Sequence, residues 1–294
     1  MGLQPNSEIN RWNYQKLGFT RLLRGVYAPT MRLPDDPNEA RHQVWLAKAK
    51  ATMKLYADKH PVLWGPSALQ AMGVALPGGI EDWDRVHIML DSTTRPHRID
   101  VVSHLGLRGR PVWKTFNGLP VLDPVDHWLQ MSGISDDDMI QIGDGFLRRR
   151  NPLLTIEDML RRLSQLAGWD GAKQARRAME QVRPGTDSIY ETKTRLVLIH
   201  ADLPEPAVNP PVWCIGAYAT YHVDLGYIKE MIGIEYDGRI HVGTYQQMEI
   251  DADRRRNLQD AGWLIINVTA KQLANPASLI RSIQTALILR APGD

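Results

Sequence analysis

Cysteine is almost absent from this 294-residue sequence, and apolar residues form no long run. The single cysteine, Cys214, excludes an intramolecular disulfide and a multi-cysteine zinc site, and we expect it to be a small buried residue in a reducing compartment. The apolar runs fall short of the roughly 20 residues that a membrane span needs. Residues 1–10 lack the charged and apolar regions of a signal peptide. We therefore expect a cytoplasmic protein that does not enter a membrane.

Basic residues are concentrated at the start of the chain. The net charge of +2 is too small to indicate a nucleic-acid-binding protein by itself, so charge must be considered locally. Residues 1–32 contain a single acid, Glu8. The basic residues of the same segment are Arg11, Lys16, Arg21, Arg24 and Arg32. This local excess makes the segment a candidate for contact with nucleic acid.

Two turn-rich segments divide the chain, which is long enough for two or three compact units. They are residues 32–38 and 182–188, where proline lies within a polar run. Between them the patterns predict helices over 40–60 and 66–72, strands over 85–90 and 98–103, and a largely helical stretch over 123–180. We therefore divide the chain into a first segment at 1–60, a mixed α/β middle domain at 61–186 and a third domain at 187–294.

The helical stretch after residue 123 offers little catalytic chemistry. Asp123, Asp126 and His127 lie close together in sequence, and a metal site could be built from them. Asp123 is better explained as the cap of the following helix, with Pro124 at its first position. The expected core positions of this region are Leu129, Ile140, Phe146, Leu160 and Leu163.

The third domain has the clearest pattern, in the order helix, β-hairpin, helix, strand, helix. Ser188 and Glu191 have the spacing of a capping box at the start of a helix that continues to about His200. The expected hairpin has arms at 221–228 and 231–236. A helix over 246–261, a buried strand over 263–268 and a closing helix over 276–289 follow.

Two acids on the expected hairpin form the candidate reactive centre. Antiparallel pairing brings Asp224 and Glu235 close enough to share an ion, and such carboxylates suit Mg²⁺ or Mn²⁺. An ion held in this way activates water and neutralises phosphate charge, which is the requirement for phosphodiester hydrolysis. The alternative is that both acids are solvent-facing strand residues. The apolar neighbours of Glu235 favour the site, because a lone buried carboxylate is costly unless it is paired or binds an ion.

Two further elements could contribute to this centre. Glu191 could approach from the preceding helix, although the capping box is by itself a sufficient explanation of its position. Asp251, Arg254 and Leu258 follow at spacings of three and four, which places them on one helix face that could point toward the hairpin. A surface ion pair is the alternative for Arg254, and it is the preferred interpretation for Arg255 and Arg256.

Taken together, these residues resemble the very-short-patch-repair-like branch of the PD-(D/E)XK nucleases. The resemblance covers residues 188–263 and is carried by Ser188-x-x-Glu191-x-x-x-Arg195, His222-x-Asp224, Ile234-Glu-Tyr-Asp-Gly238 with His241, Asp251-x-x-Arg254-x-x-x-Leu258 and Gly262-Trp263. It implies a restriction-endonuclease-like mixed sheet flanked by helices. It also implies that Asp224 and Glu235 are metal ligands and that Glu191 is a further acid near the ion.

One position departs from the family pattern. The lysine expected two residues after the second acid is replaced by Asp237. His241 or Arg254 could orient the attacking water instead, and Asp237 could add a ligand. A family member that has lost cleavage would show the same departure.

The beginning of the chain resembles AbiEi-type antitoxin proteins, which start with a winged helix. The resemblance is carried by Phe19 to Pro29 and by Gly65 to Gly73. Arg21 and Arg24 flank a turn at Gly25 and could contact DNA phosphates from a β-wing, with an ordinary exposed hairpin as the alternative. The resemblance implies a winged-helix-like and mixed α+β region ahead of the nuclease-like domain.

Two classes of function follow from these patterns. The first is a Mg²⁺- or Mn²⁺-dependent endonuclease that acts on DNA, in defence or DNA repair. The second is a non-catalytic, antitoxin-like DNA-binding regulator in which the nuclease fold survives as a scaffold. The acids Asp224, Glu235 and Asp237 favour the first, and the missing lysine favours the second.

Overall fold

The computed structural model describes residues 9–78, 80, 82, 84–90, 99–105, 113–238 and 245–291. The chain has the mixed α/β composition that the sequence predicts, and it divides into two compact units. The first unit comprises residues 1–133 and 166–172, and the second comprises 134–165 and 173–294. The division near residue 133 differs from the boundary at 186 and 187 that the turn-rich segments predict. Among the described helices, none has the length and apolar character to cross a membrane.

In its described residues, the first unit combines a small hairpin, three α-helices and a five-stranded mixed sheet. Its elements are β1 (Phe19–Leu23), β2 (Val26–Pro29), α1 (Pro37–Leu55), β3 (Val62–Leu63), α2 (Gly65–Met72), β4 (Val86–Leu90), β5 (Val101–Leu105), β6 (Trp113–Phe116), β7 (Leu119–Leu122) and α3 (Pro124–Gln130). The sheet order is β5-β4-β3-β7-β6. Strands β4 and β5 confirm the two strands that the alternating pattern predicts, and α2 confirms the short helix.

Local capping explains the acidic residues before α3. The Asp123 carboxylate accepts a hydrogen bond from the Val125 amide, with Pro124 at the first helical position, as the sequence predicts. Asp126 and His127 are both buried. Burial lowers the pKa of His127 to about 4, so the imidazole is neutral in the folded protein.

The second unit contains the rest of the regular structure. Its elements are α4 (Asp136–Phe146), α5 (Ile156–Gln165), α6 (Ala172–Gln181), α7 (Ile189–His200), β8 (Ala207–Val208), β9 (Pro211–Cys214), β10 (Ala219–His222), β11 (Leu225–Tyr227), β12 (Ile232–Tyr236), α8 (Tyr245–Asp260), β13 (Leu264–Val268), α9 (Ala270–Ala274) and α10 (Ala277–Arg290). A four-stranded sheet has the order β13-β12-β11-β8, in which only the β12 and β13 pair is parallel. A separate two-stranded ribbon joins β9 and β10.

Alternate residues of β12 belong to opposite faces of this sheet. Ile232 and Ile234 belong to one apolar cluster with residues of α7, α9 and α10, including Leu198 and Ile283. The other face packs against a second cluster, which contains Leu258 of α8. The buried Cys214 lies in this second cluster, as the sequence predicts. Glu235 therefore lies on the same face as α8.

The prediction that residues 221–228 form a single strand, the first arm of the hairpin, is wrong. The chain changes partners at Val223 and Asp224, so that β10 pairs with β9 whereas β11 pairs with β12 and β8. Hydrogen bonds hold this break in place, because the Val223 amide donates to the Pro210 carbonyl and the Asn209 amide donates to the Asp224 carbonyl. Strand β8 lies in the proline-rich segment and is only two residues long. A strand this short has no alternating pattern from which it could be predicted.

Four of the five expected core positions of the helical region are buried, and the fifth is wrong. Leu129, Ile140, Phe146 and Leu163 are at most 3% exposed, whereas Leu160 is 51% exposed. In α5 the buried face contains Met159 together with Leu163. Residues one position apart in a helix point about 100° away from each other, so the burial of Met159 turns Leu160 toward solvent.

A buried ionic network connects α4 to α7 and explains why residues 134–165 belong with the C-terminal domain. Arg195 is fully buried, and its guanidinium donates to the Asp144 carboxylate at 2.9 Å, to the Gln181 carbonyl at 2.9 Å and to Glu205 at 2.9 Å. Asp144 also accepts from the Thr192 hydroxyl at 2.8 Å. Such long-range pairing is not visible in local sequence patterns.

Candidate functional site

The second unit contains a polar cavity of about 750 Å³. It is lined by α7, strands β10 and β12, helix α8 and the loop segment that follows α4. Among the described residues, the acids that line it are Asp187, Glu191, Asp224, Glu235, Asp237 and Asp251. The basic residues that line it are Arg149, Arg150, Arg254 and Arg255. If all of these are ionised, two negative charges remain in excess, and one divalent cation would balance them.

Strand register brings Asp224 and Glu235 together, as the sequence predicts. Leu225 pairs with Ile234 in the antiparallel β11 and β12 ladder, so the next residues outward are Asp224, in the bend before β11, and Glu235, on β12. Cross-strand neighbours of this kind lie on the same face. The Asp224 carboxylate accepts a hydrogen bond from the Tyr236 amide at 2.8 Å, which fixes it at the end of the ladder.

Burial dominates the electrostatics of Asp224. Desolvation raises the pKa of this carboxyl, and the charge of Glu235 raises it further. The hydrogen bond from the Tyr236 amide and the charge of Arg254 act in the opposite direction. The raised pKa means that the protonated form of Asp224 is favoured more than in a solvent-exposed aspartate.

Glu235 is paired with Arg254 through both of its oxygens. The guanidinium donates to Oε1 at 2.6 Å and to Oε2 at 3.1 Å, and it also donates to the His222 carbonyl. The fork geometry of arginine matches a carboxylate in this way. The pair is largely shielded from solvent, with the Glu235 side chain 17% exposed. Arg254 therefore occupies the oxygens that a metal ion would need.

Helix α8 presents the face that its spacing predicts. Asp251 and Arg254 both line the cavity, and Leu258 is buried in the apolar cluster beneath them. Leu258 thus anchors the helix while Arg254 pairs with Glu235 of β12. The alternative of an exposed surface pair does not apply to Arg254.

Glu191 combines a capping role with a place in the cavity. The Ser188 hydroxyl accepts from the Glu191 amide at 3.2 Å, and the Glu191 carboxylate accepts from the Asp187 amide at 2.9 Å. The carboxylate thus reaches one residue further back than in a standard capping box. It is only 6% exposed, and burial, with the Asp224 charge adding to it, raises its pKa to about 7.

The raised pKa of Glu191 predicts a measurable pH dependence of stability. Between the usual value of 4.5 and the folded value of about 7, the folded chain binds a proton that the unfolded chain has released, so the stability from this group falls as pH rises through that range. We expect Glu191→Gln to remove this fall. At a pH of about 8 without divalent ions, the variant should gain up to about 3 kcal/mol in the free energy of unfolding. Urea denaturation in EDTA across this pH range measures the effect.

The matched control for this prediction is Glu180→Gln, which changes an exposed glutamate of the same unit. It should unfold with the same pH dependence as the wild-type chain. If Glu191→Gln also follows the wild-type curve, then the Glu191 carboxyl is ionised at neutral pH in the folded protein and the prediction fails.

Sequence reasoning missed two arginines that line the cavity and the stacking of two tyrosines beside the acids of the site. The Arg149 side chain pairs with Asp187, and Arg150 lies beside it. Tyr190 and Tyr236 stack with their ring centroids 4.3 Å apart and their planes within 6° of parallel, next to Glu191 and Glu235 in the sequence. The sequence shows the run of three arginines at 148–150, but nothing local connects it with acids 37 or more residues away.

The donor chemistry of the cavity fits Mg²⁺ or Mn²⁺, although the ligands are not gathered around one point. Among the described residues, no group of three or more histidine, cysteine, aspartate or glutamate side chains is arranged to hold a metal ion. These ions commonly bind one or two carboxylates and complete their shells with water and substrate oxygens. Asp224 and Glu235 are suitable donors of this kind, provided that Glu235 separates from Arg254.

The remaining predicted site residues have different positions. Asp237 lines the cavity, and its amide donates to the Val268 carbonyl at 2.8 Å. His241 lies outside the described residues. Arg21 and Arg24 belong to the first unit, where they are exposed on the hairpin of β1 and β2. The tip of that hairpin is the two-residue turn of Arg24 and Gly25, and the Arg24 amide donates to the Asp100 carboxylate.

Comparison of the chain with protein-family models, curated proteins and solved structures found no match.

Proposed function

We propose that this chain is a Mg²⁺- or Mn²⁺-dependent endonuclease that hydrolyses phosphodiester bonds in DNA, with the reactive centre in the cavity of the second unit. The proposal includes a restriction-endonuclease-like arrangement of the second unit and a winged-helix-like role for the first. The observation that carries it is the meeting of Glu191 of α7, Asp224 of the bend before β11 and Glu235 of β12 in one cavity. The order and spacing of these acids are those of the nuclease pattern.

Each residue of the cavity has a chemical role in this proposal. Asp224 and Glu235 would hold the ion, which neutralises phosphate charge and assists activation of water when it is bound. Glu191, with its pKa near 7, is able to accept the proton that the attacking water loses at neutral pH. Arg254 donates to Glu235 in the metal-free chain. If Glu235 binds the ion instead, the freed guanidinium would be able to donate to a phosphate oxygen.

The test is a cleavage assay on the full chain with plasmid DNA, linear DNA and RNA. We expect nicking or cutting of DNA in Mg²⁺ or Mn²⁺ and none in EDTA. The same ions should raise the melting temperature, because a ligand that binds only the folded state stabilises it. A chain that neither cuts any of these substrates nor gains stability from either ion contradicts the proposal.

One observation favours a second function, a DNA-binding regulator that has lost catalysis. Arg254 satisfies both oxygens of Glu235, and Asp237 stands where the nuclease pattern has lysine. A guanidinium held in this way can replace a metal ion as the structural partner of the acids. This alternative predicts DNA binding without cleavage, and with no change in melting temperature on addition of metal.

Both functions need contact with DNA, and the β1 and β2 hairpin offers a test of the first unit. We expect Arg21→Ala with Arg24→Ala to weaken DNA binding similarly across sequences and to reduce the slope of log affinity against log salt by about 2, because two phosphate contacts are lost. Fluorescence anisotropy over a range of salt concentrations measures this slope. The control is Lys50→Ala with Lys54→Ala, which removes equal charge from the exposed side of α1. An unchanged slope in the Arg21 and Arg24 variant would leave the hairpin as an ordinary surface feature.

A further inference from the structure

A compact turn places two arginines in a cavity whose motifs are acidic. The turn comprises residues 148–151 and follows α4. The Arg148 side chain closes it, since its Nε donates to the Arg150 carbonyl at 3.2 Å and to the Asn151 carbonyl at 3.1 Å. Asn151 has a φ of 52°, in the left-handed region that asparagine tolerates. We call residues 148–151 the arginine turn.

Backbone hydrogen bonds attach the arginine turn to the segment that leads into α7. The Arg149 amide donates to the Thr186 carbonyl at 3.2 Å, and the Gly185 amide donates to the Leu147 carbonyl at 3.0 Å. The Asn209 side chain donates to the Gly185 carbonyl at 3.1 Å, which connects this segment with the strand region. The turn is therefore held at a fixed place on the cavity wall. A backbone that is already fixed need not be ordered when a ligand binds to the side chains of the turn.

The two arginines of the turn are in different states. Arg149 pairs with Asp187, and the Asp187 amide donates to the Glu191 carboxylate. Arg149 is therefore connected to the acids of the reactive centre through a single residue, Asp187. Its side chain remains 38% exposed. Arg150 is exposed and lines the same cavity, and within the described part of the chain its side chain has no hydrogen-bond or ion-pair partner. A guanidinium with unused donors in a cavity is suited to a planar or tetrahedral oxyanion.

We infer that the arginine turn is a phosphate-binding site for the DNA backbone, with Arg149 directed to the scissile phosphate and Arg150 to a neighbouring phosphate. This inference rests on the proposed function and supplies its substrate contact. It also explains why arginine side chains line the cavity together with the acids. The acids alone would repel a polyanion, whereas arginines from the turn and from α8 provide compensating charge on elements far apart in sequence. The charge that the pattern lysine would bring is thus delivered from another part of the chain.

The experiment measures DNA binding by full-length protein in an Asp224→Asn parent, so that binding is observed without cleavage. A short fluorescein-labelled DNA duplex is titrated in Mg²⁺ at several salt concentrations. We expect Arg149→Ala with Arg150→Ala to weaken binding at low salt by about tenfold or more, since charge-assisted hydrogen bonds are lost. The slope of log affinity against log salt should fall by about 2. Arg149→Lys with Arg150→Lys retains the charge and should keep most of the slope.

Two further variants keep the test decisive. Arg161→Ala with Arg177→Ala removes the same charge from exposed pairs of the same unit that do not line the cavity, and it should bind as the parent does. Arg150→Ala alone breaks no side-chain bond among the described residues, so it reports on binding even if the double variant folds poorly. It should lower the slope by about 1.

The outcomes separate this inference from the proposed function. An unchanged slope in the arginine-turn variants, with wild-type protein that still cleaves DNA, overturns the inference and leaves the endonuclease in place. A reduced slope with wild-type protein that cleaves nothing supports the phosphate site and overturns the endonuclease. Equal loss in the Arg161 and Arg177 control, or tighter competition by RNA than by DNA, overturns the assignment to a DNA phosphate site.

Discussion

In the proposed endonuclease, the variant Asp224→Asn should lose metal-dependent cleavage, with a rate reduction on the order of 10³-fold or more, because charge stabilisation of several kcal/mol would depend on an ion held by this carboxylate. The amide nearly preserves the shape of the side chain, and its oxygen can still accept the hydrogen bond from the Tyr236 amide. Burial and the neighbouring Glu235 raise the pKa of Asp224, so the ionised carboxylate is unfavourable in the metal-free fold. We therefore expect a melting temperature equal to or above that of the wild-type chain in EDTA.

The combination of the two readouts identifies a metal-ligand role. Addition of Mg²⁺ or Mn²⁺ should stabilise the wild-type chain and should stabilise Asp224→Asn much less. Asp253→Asn serves as the control, because Asp253 is exposed on α8 and pairs with Arg256. That variant should cleave at the wild-type rate. Retained cleavage in Asp224→Asn would remove Asp224 from the reactive centre, and a lower melting temperature in EDTA would show that its charge is structural.

The second large effect concerns stability. Replacement of Arg195 by alanine should lower the free energy of unfolding by about 3 to 5 kcal/mol, because the Asp144 carboxylate stays buried without its partner. Arg195 and Asp144 are both fully buried, and the pair connects α7 to α4. The guanidinium also satisfies the Gln181 carbonyl, which would lose its donor. Urea denaturation measures the loss.

A second variant in the same unit shows whether the loss of stability comes from burial of the ion pair or from the loss of any ion pair. Arg177→Ala breaks a pair with Asp136 in which both side chains are about half exposed, and it should cost at most about 1 kcal/mol. The double variant of Arg195 and Asp144 should lose less than the sum of the two single variants, since each single change leaves the other charge unpaired. Similar losses in Arg177→Ala and Arg195→Ala would show that Asp144 is solvated or neutral in the folded chain. Arg195 thus stabilises helix α7, which places Glu191.

Local patterns predicted the helix caps and the helix face at the site. Ser188 and Asp123 cap the helices that their positions predict, because a short polar side chain next to a helix start needs only the following amides. The face of α8 that contains Arg254 follows from a spacing of three and four residues. The meeting of Asp224 with Glu235 follows from antiparallel pairing around one tight turn. In each case the partners lie within about 12 residues, where chain geometry limits the possible arrangements.

Other features depend on tertiary structure and could not be predicted from local patterns. Leu160 satisfies the apolar pattern of α5 but is exposed, since the packing partner of the helix selects Met159. The chain changes sheets at Val223 because β8 and β9 offer separate partners to β11 and β10. Arg149 reaches Asp187 across 38 residues.

For this protein, the sequence by itself determined which residues are acids on strands and helices, and therefore the candidate chemistry. The tertiary structure decided which charges meet: Arg254 with Glu235, Arg195 with Asp144 and the arginine turn with the entrance to α7. The physical reason is that the period of a helix or strand fixes the direction of a side chain relative to its own element. The partner that it meets depends on the packing of elements that are distant in sequence, and in a buried environment that partner sets the charge state and the role of each group.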